Sequence, residues 1–235
     1  MRISIIFACT AWVFVLAGRP LPSFAQASGG KAPASGAAES AGIADIEVQE
    51  QAVFALSRLP GAESAARLLE VARTHSRPEI RKQAIFWLGQ RGDAETLDEL
   101  ATIARNDPDG DVQEQVLFAY AQLPADESVP RLIAVARSHP EPEVRGQAIF
   151  WLGRKGGPAV LAFFDELMRQ PGAGEVHDQV VFAYAQLPAS EGVPRLIDLA
   201  RTHPNADVRK GAIFWLGQSG DARATAALMD MLQGN

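Results

Sequence analysis

The sequence predicts an all-α fold, an α-solenoid of six stacked helix pairs, from its repeats, their spacing and their helical periodicity. The segment EIRKQAIFWLG at Glu79 returns as EVRGQAIFWLG at Glu143 and as DVRKGAIFWLG at Asp207. A sister version lies halfway between these copies, so that repeats of two alternating types begin every 32 residues, at 47, 79, 111, 143, 175 and 207. Six copies in one register indicate a solenoid in which each repeat packs on its neighbours.

The first half of each repeat is predicted to be an amphipathic helix. Its opening residue is acidic in all six repeats, which suits the positive end of a helix dipole. In the first repeat the apolar residues fall on one helical face, at Val48, Ala52, Ala55, Leu56 and Leu59. A helix breaker follows, Leu-Pro in odd repeats and Gly in even ones.

The second half of each repeat is predicted to be another short helix. In the third repeat its apolar stripe consists of Val129, Leu132, Ile133 and Ala136. Two such helices cannot bury enough surface alone, so the stacking of six pairs must supply one continuous core.

The ends of the chain bound its cellular location and its organisation. Residues 1–27 have an apolar run after Arg2 and small residues before a predicted cleavage at Ala27, as in a secretory signal peptide. Residues 28–46, rich in Ala, Ser and Gly, are predicted to be a flexible tether, and 47–235 the solenoid. We therefore expect an exported, periplasmic protein with no stable membrane span after cleavage. The alternative is an uncleaved anchor, for which the run is short.

Composition argues against two classes of function. The single cysteine, Cys9, lies within the predicted signal peptide, so the mature protein is expected to have neither a disulfide nor thiol chemistry. The formal net charge is −6, which disfavours nucleic acid as a partner because phosphate neutralisation dominates that affinity. No cofactor is predicted.

The repeats resemble the HEAT repeats, particularly the short bacterial type named after phycobilin lyases. The resemblance rests on the pattern acid-Val-Arg-x-x-Ala-x-x-x-Leu-Gly followed by Gly-Asp, which DVRKGAIFWLGQSGD from Asp207 matches best. It covers residues 47–235 and implies a solenoid, but such repeats occur in bilin lyases, a di-iron hydroxylase, DNA glycosylases and many scaffolds. The hydroxylase acts on deoxyhypusine and carries His-Glu pairs in several repeats, and this sequence has none.

Three of the four histidines share one register, two repeats apart, at His75, His139 and His203. Helices of adjacent repeats pack 8 to 10 Å apart, so these rings are expected roughly 20 Å from one another, too far to share a metal ion. We expect them to cover the terminal carbonyls of the second helices instead.

One phenylalanine recurs at the eighth position of every repeat. At 100° per residue it points about 140° away from the centre of the apolar face, which predicts an outer stripe and a partner surface. The alternative is that each ring fills the space beside the next repeat, against the small residue three positions later. The column consists of Phe54, Phe86, Phe118, Phe150, Phe182 and Phe214.

Tryptophan follows the phenylalanine in even repeats, at Trp87, Trp151 and Trp215, where odd repeats have alanine. Because this register falls on the predicted core face, we expect large and small residues to interdigitate between repeats.

Arginines recur in the second helices. One series closes the helix, at Arg73, Arg105, Arg137, Arg169 and Arg201. We expect each to pair with the acid that opens a neighbouring repeat or with the helix end; the alternative is a cationic ladder along one groove. A second series occurs only in odd repeats, at Arg67, Arg131 and Arg195, and has no evident structural role. It is therefore a candidate for a ligand groove on the inner face of the solenoid.

These observations favour an exported scaffold that binds a protein or peptide and has no catalytic role. The alternative is an accessory subunit or lyase-like enzyme of the phycobilin lyase type, with its site on the concave second helices. The last helix ends without a polar capping unit, so self-association through the C-terminal repeat is a further hypothesis.

Overall fold

The computed structural model describes residues 34–171 and 174–233, and the chain divides into two units at Gly42. Of the first unit only the start of one helix is described. The second unit, Ile43–Asn235, is the repeat array. Together the described residues form twelve helices: α1 (Ala34–Ser57), α2 (Ala62–Thr74), α3 (Pro78–Arg91), α4 (Ala94–Asn106), α5 (Gly110–Gln122), α6 (Ala125–Ser138), α7 (Pro142–Lys155), α8 (Pro158–Met168), α9 (Gly174–Gln186), α10 (Ala189–Thr202), α11 (Ala206–Gln218) and α12 (Ala222–Gln233).

The array is the predicted α-solenoid of helix pairs, with α1, α3, α5, α7, α9 and α11 as the first helices of the six repeats. Successive first helices pack on each other from α3 to α11, and each packs on the second helix that precedes it. One apolar cluster runs from Val53 in α1 to Ala224 in α12. The core is therefore continuous along the stack, as the repeat pattern predicts.

The helix boundaries follow from local chemistry. Pro78 and Pro142 occupy the first turn of α3 and α7, where a missing N–H group costs nothing. Gly92 ends α3 with φ at 69° and Gly156 ends α7 with φ at 63°, a left-handed backbone that glycine adopts without strain. The Asp109 side chain accepts a hydrogen bond from the Val112 amide and caps α5.

The first repeat departs from the predicted burial. In the third repeat the apolar face of the first helix is buried, whereas in the first repeat Val48, Ala55 and Leu59 are exposed. The periodicity identified the right face, but that face contacts the preceding repeat, and no repeat precedes the first one in the described residues.

The N-terminal predictions have two outcomes. The helix α1 begins at Ala34, so the second part of the predicted tether, residues 34–46, is helical; this stretch has no proline, and alanine is the strongest helix former. The predicted signal peptide and the start of the tether lie outside the described residues. Within those residues, no helix is both long and apolar enough to cross a membrane.

Candidate partner-binding surfaces

Two kinds of junction alternate along the solenoid. We call the contact between repeats one and two, three and four, or five and six an odd-to-even junction, and the other contacts even-to-odd junctions. Second helices pack closely at the odd-to-even junctions, α2 with α4, α6 with α8 and α10 with α12. The two kinds of junction use different side chains, and the difference decides which surfaces remain open.

Each odd-to-even junction contains an aromatic triad on the first-helix side. The Trp151 ring lies 5.8 Å from Phe118 of the preceding repeat and 5.3 Å from Phe150 of its own, both centroid distances. Both contacts are edge-to-face, a geometry favoured by the ring quadrupoles. The other two triads are Phe54, Trp87 and Phe86, and Phe182, Trp215 and Phe214.

The even-to-odd junctions bring first helices together through small residues. A Cβ added to Gly89 would lie 2.7 Å from the Ala119 Cβ, and one added to Gly153 would lie 3.1 Å from the Ala183 Cβ. Real Cβ atoms essentially never approach as closely as the first of these distances. The close packing of these helices therefore requires two small residues. One is the glycine of the even repeat, and the other is the alanine that takes the tryptophan position in the odd repeat.

A groove opens between two aromatic triads at the junction of α7 and α9. Its volume is about 440 Å³, its walls include Phe150 and Phe182, and Gly153 and Ala183 line it. Arg154, Gln186 and Glu191 add polar groups to its lining. We call it the first-helix groove; apolar side chains and polar groups, Lys155 among them, contribute to its lining in similar measure.

The phenylalanine column is not uniform. Phe54 and Phe214, in the first and last repeats, are exposed, whereas the four interior rings are half-buried. The phenylalanines and tryptophans do not form two separate columns, because rings of the two kinds touch. The tryptophans do pack between repeats, as the alternation with alanine predicts.

On the second-helix side, arginines of odd repeats pair with acids on both sides. Arg137 Nη2 donates to Glu166 Oε2 at 2.6 Å in the following repeat, and Arg201 Nη2 to Asp230 Oδ2 at 3.1 Å. Arg73 pairs with Glu99 in the same way. The pairing with neighbouring repeats was predicted, but the acids lie on the second helices rather than at the repeat starts.

The odd-repeat arginines prove to have structural partners. Arg131 Nη2 donates to Asp98 Oδ1 at 2.8 Å in the preceding repeat, and its Nη1 donates to the Glu127 carbonyl at 3.1 Å. Arg195 lies near Asp165, with Nε and Oδ1 3.4 Å apart. Arg67, which has no preceding repeat in the described residues, is exposed and pairs within its own helix with Glu70.

A second groove, of about 390 Å³, lies between α4 and α6, and we call it the second-helix groove. Its polar groups are largely engaged: Tyr120 Oη donates to the Leu97 carbonyl at 2.9 Å, and Arg131 pairs with Asp98. Burial raises the pKa of the Tyr120 phenol, which keeps it neutral. Among the described residues Arg105 lines this groove without an ion pair, so it is the one cation there open to a ligand.

A family profile described as HEAT repeats matches residues 41–121, 97–185 and 166–235, which together span the whole array. The chain belongs to the HEAT-repeat family. A search of curated proteins gave no match.

A solved structure similar to this HEAT-repeat protein is that of human deoxyhypusine hydroxylase in complex with glycerol. The identity is 22%, the match covers 77% of this chain and 72% of the other, and the TM-score is 0.36. Likeness at this level carries no functional argument.

The histidines that share one register in the HEAT repeats form hydrogen bonds to the second helix of the neighbouring repeat. His139 Nδ1 accepts the Glu141 amide at 3.1 Å, so its Nε2 carries the proton and donates to the Ala104 carbonyl at 2.8 Å in the preceding repeat. His203 does the same with Asn205 and the Met168 carbonyl. The expectation that the histidines cover helix-end carbonyls is confirmed for His139 and His203, with the carbonyl supplied by the neighbouring repeat. The described residues contain no group of three or more potential metal ligands.

Sequence reasoning missed two buried polar clusters. The Arg81 guanidinium forms a buried two-pronged salt bridge with Asp107 at 2.8 and 2.9 Å and donates to the His75 carbonyl at 3.0 Å. His177 takes the arginine register in the fifth repeat and packs edge-on against His203 at 5.3 Å between centroids. The available signal was that the other odd repeats have glutamine at this position, Gln49 and Gln113, whereas the arginines there in even repeats cap the preceding loop.

Proposed function

We propose that this HEAT-repeat protein is an exported scaffold that binds another protein through the first-helix side of the array. The observation that carries the proposal is the first-helix groove, because it is open and has two aromatic rings already held in place. Phe150 is fixed against Trp151 and Phe182 against Trp215. A partner side chain that enters between them meets a preformed site, so little ordering entropy opposes binding.

The chemistry of the groove favours a short apolar segment with a polar flank. The walls offer aromatic surface, while Arg154 and Glu191 offer charges of both signs at the edge. An apolar helix or an extended peptide could place one large side chain in the groove and hydrogen-bonding groups beside it. The same glycine-alanine and phenylalanine pairing recurs at Gly89 and Ala119, so a longer partner could be held at two points.

The second-helix groove supports the alternative, an accessory or lyase-like role. Arg105 is the feature that favours it, since a cation without a partner can hold an anionic ligand. The other polar groups argue against a reactive site: His139 uses both ring nitrogens in hydrogen bonds, and the neutral Tyr120 donates to a carbonyl. A site whose histidine and tyrosine are both engaged in hydrogen bonds suits binding better than catalysis.

The export part of the proposal rests on residues 1–27 alone. The N-terminus of the protein isolated from its native cells should lie near Ser28. Recovery of Met1 or Arg2 at the N-terminus would contradict export by cleavage.

Two matched variants separate the two grooves. Gln186→Trp fills the first-helix groove from an exposed helix end, and Ala134→Trp fills the second-helix groove from an exposed position. Used as bait in an extract of the native cells, the first variant should lose its captured partner by about tenfold or more, and the second should retain it. Loss with Ala134→Trp only would overturn the scaffold proposal in favour of the second-helix groove. Both variants should keep the helical circular dichroism of the unaltered protein.

A further inference from the structure

The last repeat exposes residues that its counterparts bury. Ile213 is 40% exposed, whereas Ile85 and Ile149 in the same register are 0% exposed. Leu232 is 82% exposed at the register where Ala104 and Met168 are buried. Each of the other even repeats is covered by the odd repeat that follows it. Within the described residues, no odd repeat covers the last even repeat.

The first repeat exposes the complementary face. Val48 is 67% exposed, whereas Val112 in the third repeat is 0% exposed. Ala55 is exposed where Ala119 and Ala183 are buried against the glycine of the preceding even repeat. The first repeat thus presents an odd-type face that no even repeat covers in the described residues.

The interior of the chain shows how these two faces fit each other. At both even-to-odd junctions glycine meets alanine, and a histidine Nε2 donates to the last carbonyls of the preceding second helix. The last repeat retains the glycine as Gly217. A Cβ added to Gly217 would meet no neighbouring atom within 4 Å. The first repeat retains the alanine as Ala55 and the histidine as His75.

We propose that the first repeat of a second copy of this chain docks on the last repeat and repeats the even-to-odd junction between molecules. In this head-to-tail contact Gly217 faces Ala55, Ile213 becomes buried, and His75 Nε2 donates to the Leu232 carbonyl. Because the two contacting surfaces differ, each addition leaves one of each free, so the contact generates chains of copies rather than closed two-fold dimers. The inference does not depend on the proposed role of the first-helix groove.

Sedimentation velocity of the purified chain, in the form isolated from cells, tests this contact. Over a series from low micromolar to the highest soluble concentration, the weight-average mass should rise continuously and pass that of a dimer. Gly217→Gln and Ala55→Gln should each remain monomeric at every concentration. Ala55→Gln should keep the melting temperature of the unaltered chain. Gly217→Gln should keep or exceed it, because glutamine favours helix more than glycine does.

Mixing the two variants gives the sharper result. Each has one intact face, and the intact faces are complementary, so an equimolar mixture should form a heterodimer that grows no further. Ala134→Gln, an exposed change on the second-helix side, serves as the control and should associate as the unaltered chain does.

Three outcomes would overturn the contact. The unaltered chain could stay monomeric throughout, the mixture could fail to pair, or a dimer could form that Ala55→Gln leaves intact. The last result would indicate two C-terminal faces joined to each other. Since no other protein is present, none of these outcomes bears on capture of a partner by the groove.

Discussion

The two kinds of junction hold neighbouring repeats together by different means. An odd-to-even junction is filled by large rings on one side and by exposed ion pairs such as Arg201 with Asp230 on the other. An even-to-odd junction depends on contact between Gly153 and Ala183 and on buried hydrogen bonds from histidine. Both described grooves lie at even-to-odd junctions. The space that these grooves leave at the even-to-odd junctions is where another molecule can enter.

The largest expected effect on stability comes from adding a side chain where the first helices of two repeats approach each other most closely. Gly89→Leu puts a Cβ 2.7 Å from the Ala119 Cβ and 3.2 Å from its Cα, so relief requires movement of a backbone. We expect a loss of at least about 3 kcal/mol in the free energy of unfolding, at the upper end for overpacked cores. Urea denaturation measures it, and Gly217→Leu, with open space at the same register, should lose nothing. Equal losses in the two variants would show that the junctions do not differ in this way.

A smaller loss is expected from emptying an aromatic triad. Trp151→Ala removes the ring that Phe118 and Phe150 contact, but the site is half-buried and can partly collapse. We expect about 2 to 3 kcal/mol, below the usual range for a fully buried tryptophan. Thermal unfolding of Trp151→Ala beside Trp151→Phe gives the comparison, and the phenylalanine variant should recover part of the loss. An unchanged melting temperature for Trp151→Ala would exclude the triad as a stabilising contact.

Alkaline pH should weaken the even-to-odd junctions selectively. Burial, followed by the hydrogen bond to Asp165 at 2.6 Å, raises the pKa of Tyr184, and burial also raises that of Tyr120. A raised pKa means that the folded state holds the phenolic proton more tightly. The stabilisation is therefore complete below the ordinary tyrosine pKa of about 10 and is lost as the pH rises above it.

Denaturant titrations from neutral pH into this range measure the effect. The free energy of unfolding of the unaltered chain should fall steeply above the ordinary tyrosine pKa, while Tyr120→Phe with Tyr184→Phe should show a shallower fall. The double variant should also be about 1 to 2 kcal/mol less stable at neutral pH, since it lacks two hydrogen bonds. Identical slopes would mean that other groups control the alkaline transition.

The smallest effect is expected at the exposed ion pairs. Arg201→Ala breaks the pair with Asp230, whose two side chains are about half exposed. Pairs of this kind contribute about 0 to 1 kcal/mol and are screened by salt. Melting temperatures of the variant and the unaltered chain should differ slightly at low salt and coincide at high salt. A difference that persists at high salt would point to packing of the arginine stem rather than charge.

Much of the fold could be predicted from the sequence because repetition averages out local ambiguity. The step of 32 residues fixed the repeat boundaries, and Gly92 and Gly156 marked the turns in which positive φ is needed. The start of α1 at Ala34 could not be predicted from apolar periodicity, since the segment is helical by alanine content rather than by an apolar stripe.

The candidate site was less accessible to sequence reasoning. Helical angle alone placed Phe150 and Trp151 on separate faces, but ring size lets adjacent residues reach the same space between repeats. The roles of Arg131 and Arg195 depend on acids about thirty residues earlier whose position shifts by one helical turn between repeats, Asp98 in one and Asp165 in the other. No pattern at fixed spacing could have paired them.

Photo-cross-linking in the native cells shows directly whether partners bind on the first-helix side. A photoreactive phenylalanine analogue replaces Gln186 beside the first-helix groove in one strain and Ala134 beside the second-helix groove in another. We expect a discrete cross-linked protein from Gln186 and none from Ala134. A cross-linked protein from Ala134 with none from Gln186 would show that partners bind on the second-helix side instead.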